Sequence, residues 1–180
     1  ETACDVTERL GTETTGRIYL IPSSVNAGDI ARIIQEGYDI NLLSEGFRQL
    51  ISSLHLDTLL IDTHPGLNEE TLLSLALSNT LLIVMRPDYQ DYQGTGITIE
   101  VARELEVPRI LLLMNKMPPA QNPEELSRRV ESAYGLPLAA AIPHSDEMMT
   151  LASRDLFVCR HPHHPTTALY RRLLDQLITP

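Results

Sequence analysis

The sequence predicts a doubly wound α/β fold, a mainly parallel sheet with helices on both faces. Three observations carry this. Five short apolar runs recur, most of them nearly continuous in Leu, Ile and Val, the pattern of strands buried on both faces. Stretches with helical spacing of apolar residues fill the intervals between them. The chain has 180 residues, 43% of them hydrophobic, which suits a single domain, 1–180, able to bury a core.

The elements follow in order. Residues 1–16 are polar and read as irregular, a loop or frayed helix. The first strand spans 17–21. A helix over 43–54 places Phe47, Leu50, Ile51 and Leu54 on one face, with Asn41 as its cap. The second strand, 58–61, leads to a helix over 67–77, whose acidic Glu69 and Glu70 suit the positive end of the helix dipole. Strand 80–85 precedes a helix over 96–105, opened by Gly94-Thr95-Gly96 and ended by Pro108. Strand 109–114 precedes a helix over 123–134. There Asn122 caps, Pro123 fits the first position, Glu125 completes a capping box and Gly135 provides the exit. Strand 138–142, a Pro- and His-rich loop over 160–165 and a helix over 167–178 complete the chain. Tyr170, Leu173, Leu174 and Leu177 form the apolar stripe of that last helix.

Composition narrows the function. Net charge is −10 and the pI near 5.0, which argues against non-specific binding of nucleic acid or anionic membrane. The apolar run 110–114 is far too short to span a bilayer, and the first residues carry no apolar signal segment. Lys116 is the single lysine. Cys4 and Cys159 form no C-x-x-C pair and read as two thiols of a cytoplasmic protein. His161, His163 and His164 crowd around Pro162, a poor spacing for one tetrahedral ion, and read as a solvated loop.

In an open parallel sheet, ligands bind beyond the carboxyl ends of the strands. The residues there are therefore the candidates. Asp62 ends an apolar strand, the pattern that holds the Mg²⁺ of a nucleoside triphosphate through water, or else simply caps a turn. Gly66 lets the backbone approach a phosphate, and His64 is a spacer or an anion donor. Arg86-Pro87-Asp88 follows the third strand. Asn115 follows the fourth and reads a purine edge or forms a polar turn with Lys116. Pro143-His144-Ser145-Asp146 follows the fifth. Arg171 and Arg172 read as a solvated helix face.

Residues 57–72, Asp-Thr-Leu-Leu-Ile-Asp-Thr-His-Pro-Gly-Leu-Asn-Glu-Glu-Thr-Leu, resemble the Walker B and switch II segment of the MinD/ParA family of ATPases. His64 stands where the family has proline. Leu-Leu-Leu-Met-Asn-Lys over 111–116 is similar to the family's strand beside adenine, and 141–146 to its second base-side loop. The likeness runs over 17–178 and is nearer the MinD branch than the plasmid-partition branch. It implies that Asp62 holds Mg²⁺ through water, that the Gly66 amide senses the γ-phosphate, and that Asn115 and the Pro143 backbone contact adenine. It further implies ATP and Mg²⁺ as cofactors of the full-length parent, a homodimer and a regulatory partner that stimulates hydrolysis. The process it implies is spatial organisation, division-site placement or partitioning. The expected location is the cytoplasm, with a membrane-peripheral state open to the parent.

The family's glycine-rich loop with Gly-Lys-Thr or Gly-Lys-Ser is absent from the sequence, as is its switch I aspartate segment, and no amphipathic membrane tail is evident. The resemblance therefore implies the C-terminal two-thirds of such an ATPase, inactive and without bound cofactor as it stands. Its first strand and P-loop would be missing, leaving a vacancy in the sheet, open or filled by another copy. Three alternatives remain. One is a pseudo-ATPase that serves as a partner-binding module. Another is a phospho-receiver with Asp62 as acceptor beside Lys116 and Pro118. The third is an iron–sulfur carrier, for which Cys159 stands alone.

Overall fold

The computed structural model describes residues 3–10, 15–22 and 40–178. Within these, three strands form a wholly parallel sheet in the order β3-β4-β5: β3 (Thr80–Met85), β4 (Arg109–Met117) and β5 (Leu138–Pro143). Met85 pairs with Met114, Met114 with Ala141, and Met117 with Pro143. β4 is the central strand, and its run Leu111, Leu112, Leu113 and Met114 is buried because both faces are covered.

The two-residue period sorts that core into layers. Ile83, Met85, Leu112 and Met114 meet Ile99 of α3 (Tyr89–Glu104) and Leu126 and Val130 of α4 (Pro123–Tyr134). Leu113 and Ile142 point the other way, against Leu173 of α7 (Pro165–Ile178). Helices thus cover both faces of the sheet, as the apolar patterning requires. Two further helices precede the sheet, α1 (Ile40–Leu54) and α2 (Glu69–Leu77). Two short ones, α5 (Asp146–Leu151) and α6 (Phe157–Arg160), link β5 to α7.

Expectations for several elements need correction. The run 58–61 joins no ladder, and Leu60 is 80% exposed. Among the described residues β3 pairs only with β4, so no neighbour stands ready to make 58–61 a strand. The run 17–21 is a strand only at β2 (Tyr19–Leu20), which pairs antiparallel with β1 (Cys4–Asp5) in a separate ribbon. That ribbon, with a 3₁₀ turn over Thr7–Leu10, also replaces part of the irregular start; residues 1–2 and 11–14 lie outside the described set. Asn41 lies inside the first turn of α1, which begins one residue earlier. Finally, α3 starts at Tyr89, so Gly94-Thr95-Gly96 lies within it. Asp88 accepts the Asp91 N–H at 3.0 Å, and this cap, with Thr95 and Ile99 buried, outweighs the low helix propensity of the glycines.

α4 follows its local signals most closely. Asn122 Oδ1 accepts the N–H groups of Glu124 and Glu125, Pro123 takes the first position, and Gly135 exits at φ 66°. Glu125 turns its carboxylate toward Arg129 at 3.5 Å, where a capping box would have turned it back to the cap.

Candidate functional site

The parallel register brings three strand ends to one edge. Arg86 follows β3, Asn115 and Lys116 stand at the end of β4, and Pro143 and His144 stand at the end of β5. The backbone locks the last two strands together there: the His144 N–H donates to the Met117 carbonyl at 2.8 Å. Asn115 and Pro143, both proposed from sequence to face a base, are thus on adjacent strand ends.

β4 bulges as it reaches this edge, with its pairing to β5 shifting between Met114 and Met117. Lys116 takes φ 54°, a left-handed conformation that non-glycine residues seldom adopt. Asn115 Oδ1 accepts the Lys116 N–H at 2.9 Å and so braces the turn. The amide oxygen of Asn115 is thus engaged by its own turn. Lys116, the single lysine, is exposed here.

Arg86 is held in place by a carboxylate fork. Its backbone N–H and Nε donate to Asp91 Oδ2 at 2.7 and 3.1 Å, and Nη2 donates to Asp91 Oδ1 at 3.1 Å. Asp88 adds a contact at 3.4 Å. The Arg86 hydrogen bond keeps the Asp91 carboxyl below its ordinary range. The sequence carried a signal for this, Arg-Pro-Asp-x-x-Asp across a strand–helix junction. The left-handed Lys116 carried none. At β5 the next residues are fixed as well. His144 Nε2 lies 3.2 Å from Asp146 Oδ1, and buried Ser145 caps α5 through its Oγ.

Asp62 and Gly66 sit on a different kind of support. Asp62 is exposed, on the irregular segment that leads into α2. Gly66 has φ 98°, a conformation that favours glycine, and a Cβ there would meet nothing within 4 Å. Asn68 Oδ1 caps α2 by accepting the Thr71 N–H at 2.8 Å, and Thr71 Oγ1 donates to the His64 carbonyl at 3.4 Å. The loop is therefore tied to α2, whereas Asn115 and Pro143 are tied to the sheet.

Two cavities lie elsewhere. One of about 520 Å³ is lined by Arg17, Tyr19, His55 and Asp57, among others. The other, of about 180 Å³, lies by Gln121, Asn122 and Arg129. Neither is lined by Asp62, Gly66, Asn115 or Pro143. Among the described residues no three His, Cys, Asp or Glu side chains gather to hold a metal, and no helix is long and apolar enough to cross a membrane.

No family model matches the sequence, and no curated protein does. Solved structures do. The chain is similar to the MinD cell division protein of Aquifex aeolicus, with a TM-score of 0.67 and 13% identity over 90% of this chain and 65% of that one. It is similar to a ParA family ATPase from Chlorobium tepidum TLS, with a TM-score of 0.67 and 20% identity over 90% and 64%. A third likeness is to a MinC:MinD cell division protein complex of Aquifex aeolicus, at 0.67 and 14% over 98% and 74%. The chain thus spans slightly less than two thirds of the first two neighbours. At these identities the likeness bears on architecture: the chain has an α/β fold like that of the MinD and ParA structures.

Proposed function

We propose that this chain is the C-terminal part of a MinD/ParA-type ATPase domain that works in spatial organisation, in division-site placement or partitioning. The observation that supports this reading is the sheet register, which puts Asn115 and Pro143 near the carboxyl ends of neighbouring strands, with Met117 directly opposite Pro143, in a MinD/ParA-like fold. In this reading Asn115 Nδ2 donates to a ring acceptor of adenine and the Pro143 carbonyl accepts from its amino group. Asp62 holds Mg²⁺ through water, and the Gly66 amide faces the γ-phosphate. The donor set fits such a ligand: an exposed carboxylate for a hard cation, a glycine in a conformation open to close approach, and an amide braced at a strand end. Mg²⁺ would neutralise charge on the phosphates.

Lys116, exposed on the base side, is not in this reading the lysine that grips phosphate. A lysine-bearing loop must come from a longer form of the polypeptide. The parent is then a cytoplasmic, dimer-forming ATPase answering to a regulatory protein, and the chain by itself is inactive.

Isothermal titration of Mg²⁺-ATP into this chain and into a form extended at its N-terminus tests the reading. Binding is expected only by the extended form. In that form Asn115→Ala weakens ATP about tenfold, the scale of one lost hydrogen bond. Tight binding by the short chain overturns the placement of the phosphate site. No binding by either form overturns the ATPase and leaves a partner-binding pseudo-ATPase.

A further inference from the structure

The end of α7 that meets the loop 161–164 is built around imidazoles. Pro165 opens the helix with no N–H to satisfy, as suits the first position. The residue before it is in the cap position, where Ser, Thr, Asp or Asn ordinarily accepts an N–H of the first turn. Here the residue is His164, whose Nδ1 accepts the Thr166 N–H at 3.1 Å. Thr166 and Thr167 are each 1% exposed, so water cannot replace that acceptor. Thr167 Oγ1 donates to the His161 carbonyl at 2.7 Å, and the His164 N–H donates to the same carbonyl at 3.1 Å. Phe157 of α6 fixes both rings, with centroids 4.7 Å from His161 and 5.1 Å from His164.

A ring that accepts through Nδ1 is neutral and carries its proton on Nε2. A second proton would set an N–H donor against the Thr166 donor. We propose that His164 is a pH-operated cap: proton uptake at Nδ1 releases the first turn of α7 and loosens its cover over β5. The cover consists of Leu173 against Leu113 and Ile142, with Gln176 Nε2 donating to the Ala139 carbonyl at 3.0 Å. β5 ends at Pro143, so the device is built into the support of the strand-end site.

The groups facing His164 act in opposite directions. Glu147 of α5 attracts a charged ring. Its carboxyl is held below the ordinary range by its own N–H and by Ser145 Oγ, then by the two imidazoles. His161, with its ring centroid 6.4 Å away, repels a charged ring when itself charged, and Phe157 carries no charge. The positive end of the helix opposes the charge as well.

Hydrogen exchange of the amides of Thr166 and Ala168, on the full chain at pH 7.5 and 5.5 and corrected for intrinsic rates, tests the device. Imidazoles ordinarily charge across that interval. Protection in the native chain is expected to fall about tenfold on acidification, the scale of one lost buried hydrogen bond. In His164→Asn, which keeps an acceptor and does not titrate there, it is expected to stay level; His164→Ser serves if that variant does not fold. His161→Gln is expected to keep the native response. An equal fall in the His164 variants, or no fall in the native chain, overturns the proposal. So does a ring ¹⁵N spectrum showing Nδ1 protonated at pH 7.5.

Discussion

Arg86 and Asp91 join the end of β3 to the first turn of α3 through three hydrogen bonds. Because Arg86 lowers the pKa of Asp91 from 3.8, the pair contributes stability above that value, lost as pH falls through the native one. Asp91→Asn should therefore flatten the loss of stability in urea titrations taken below about pH 4. At neutral pH it should cost about 1 kcal/mol, a charged hydrogen bond discounted for the exposed Arg86. Tyr134 answers at the other end of the scale. Its hydroxyl donates to the Tyr92 carbonyl at 2.7 Å, and burial, with Tyr92 nearby, pushes its pKa up to about 12. A raised value means stability intact below pH 10 and lost as pH rises through 12. Phenolate absorbance should show a late phase near pH 12 that Tyr134→Phe removes, with a loss of about 1 kcal/mol at neutral pH.

α4 shows what an element owes to local chemistry. Asn122→Ala should cost about 1 kcal/mol in thermal or urea unfolding, since two N–H groups lose their acceptor. Gly135→Ala should cost roughly 1–2 kcal/mol although no atom lies within 4 Å of the added Cβ, because the cost is left-handed backbone alone. Equal stability in both variants would remove this account of the helix ends. Both caps were legible because they lie within four residues of what they satisfy, as were β3, β4 and β5, whose apolar runs need two covered faces. The run 58–61 has the same composition yet forms no ladder, because strandedness depends on a neighbour that no window of sequence contains. The start of α3 was hidden by glycines whose local cost Asp88 and the buried Thr95 and Ile99 override. At the site, the adjacency of Asn115 and Pro143 followed from strand order. The left-handed Lys116 and the engaged Asn115 oxygen did not, since both arise from the bulge where β4 outruns its partner.

At the scale of the whole molecule, part of the surface of the described residues is apolar: Leu20, Leu60 and Val84 are exposed by 55, 80 and 55%. Val84 lies on β3, which has no second neighbour among the described residues and whose six residues carry no charge. An uncharged edge strand with apolar side chains beside it is a template for association. The net charge of −10 opposes this by mutual repulsion, over a distance that salt shortens to about 10 Å at 0.1 M. The chain alone should therefore be monomeric at low salt and associate as salt rises, which sedimentation at several concentrations would read. Leu60→Lys with Val84→Lys should suppress the association, by placing charge at two exposed apolar positions, one of them on β3. A chain that stays monomeric in high salt, or associates equally with both lysines present, would mean that these apolar positions and the β3 edge do not drive association.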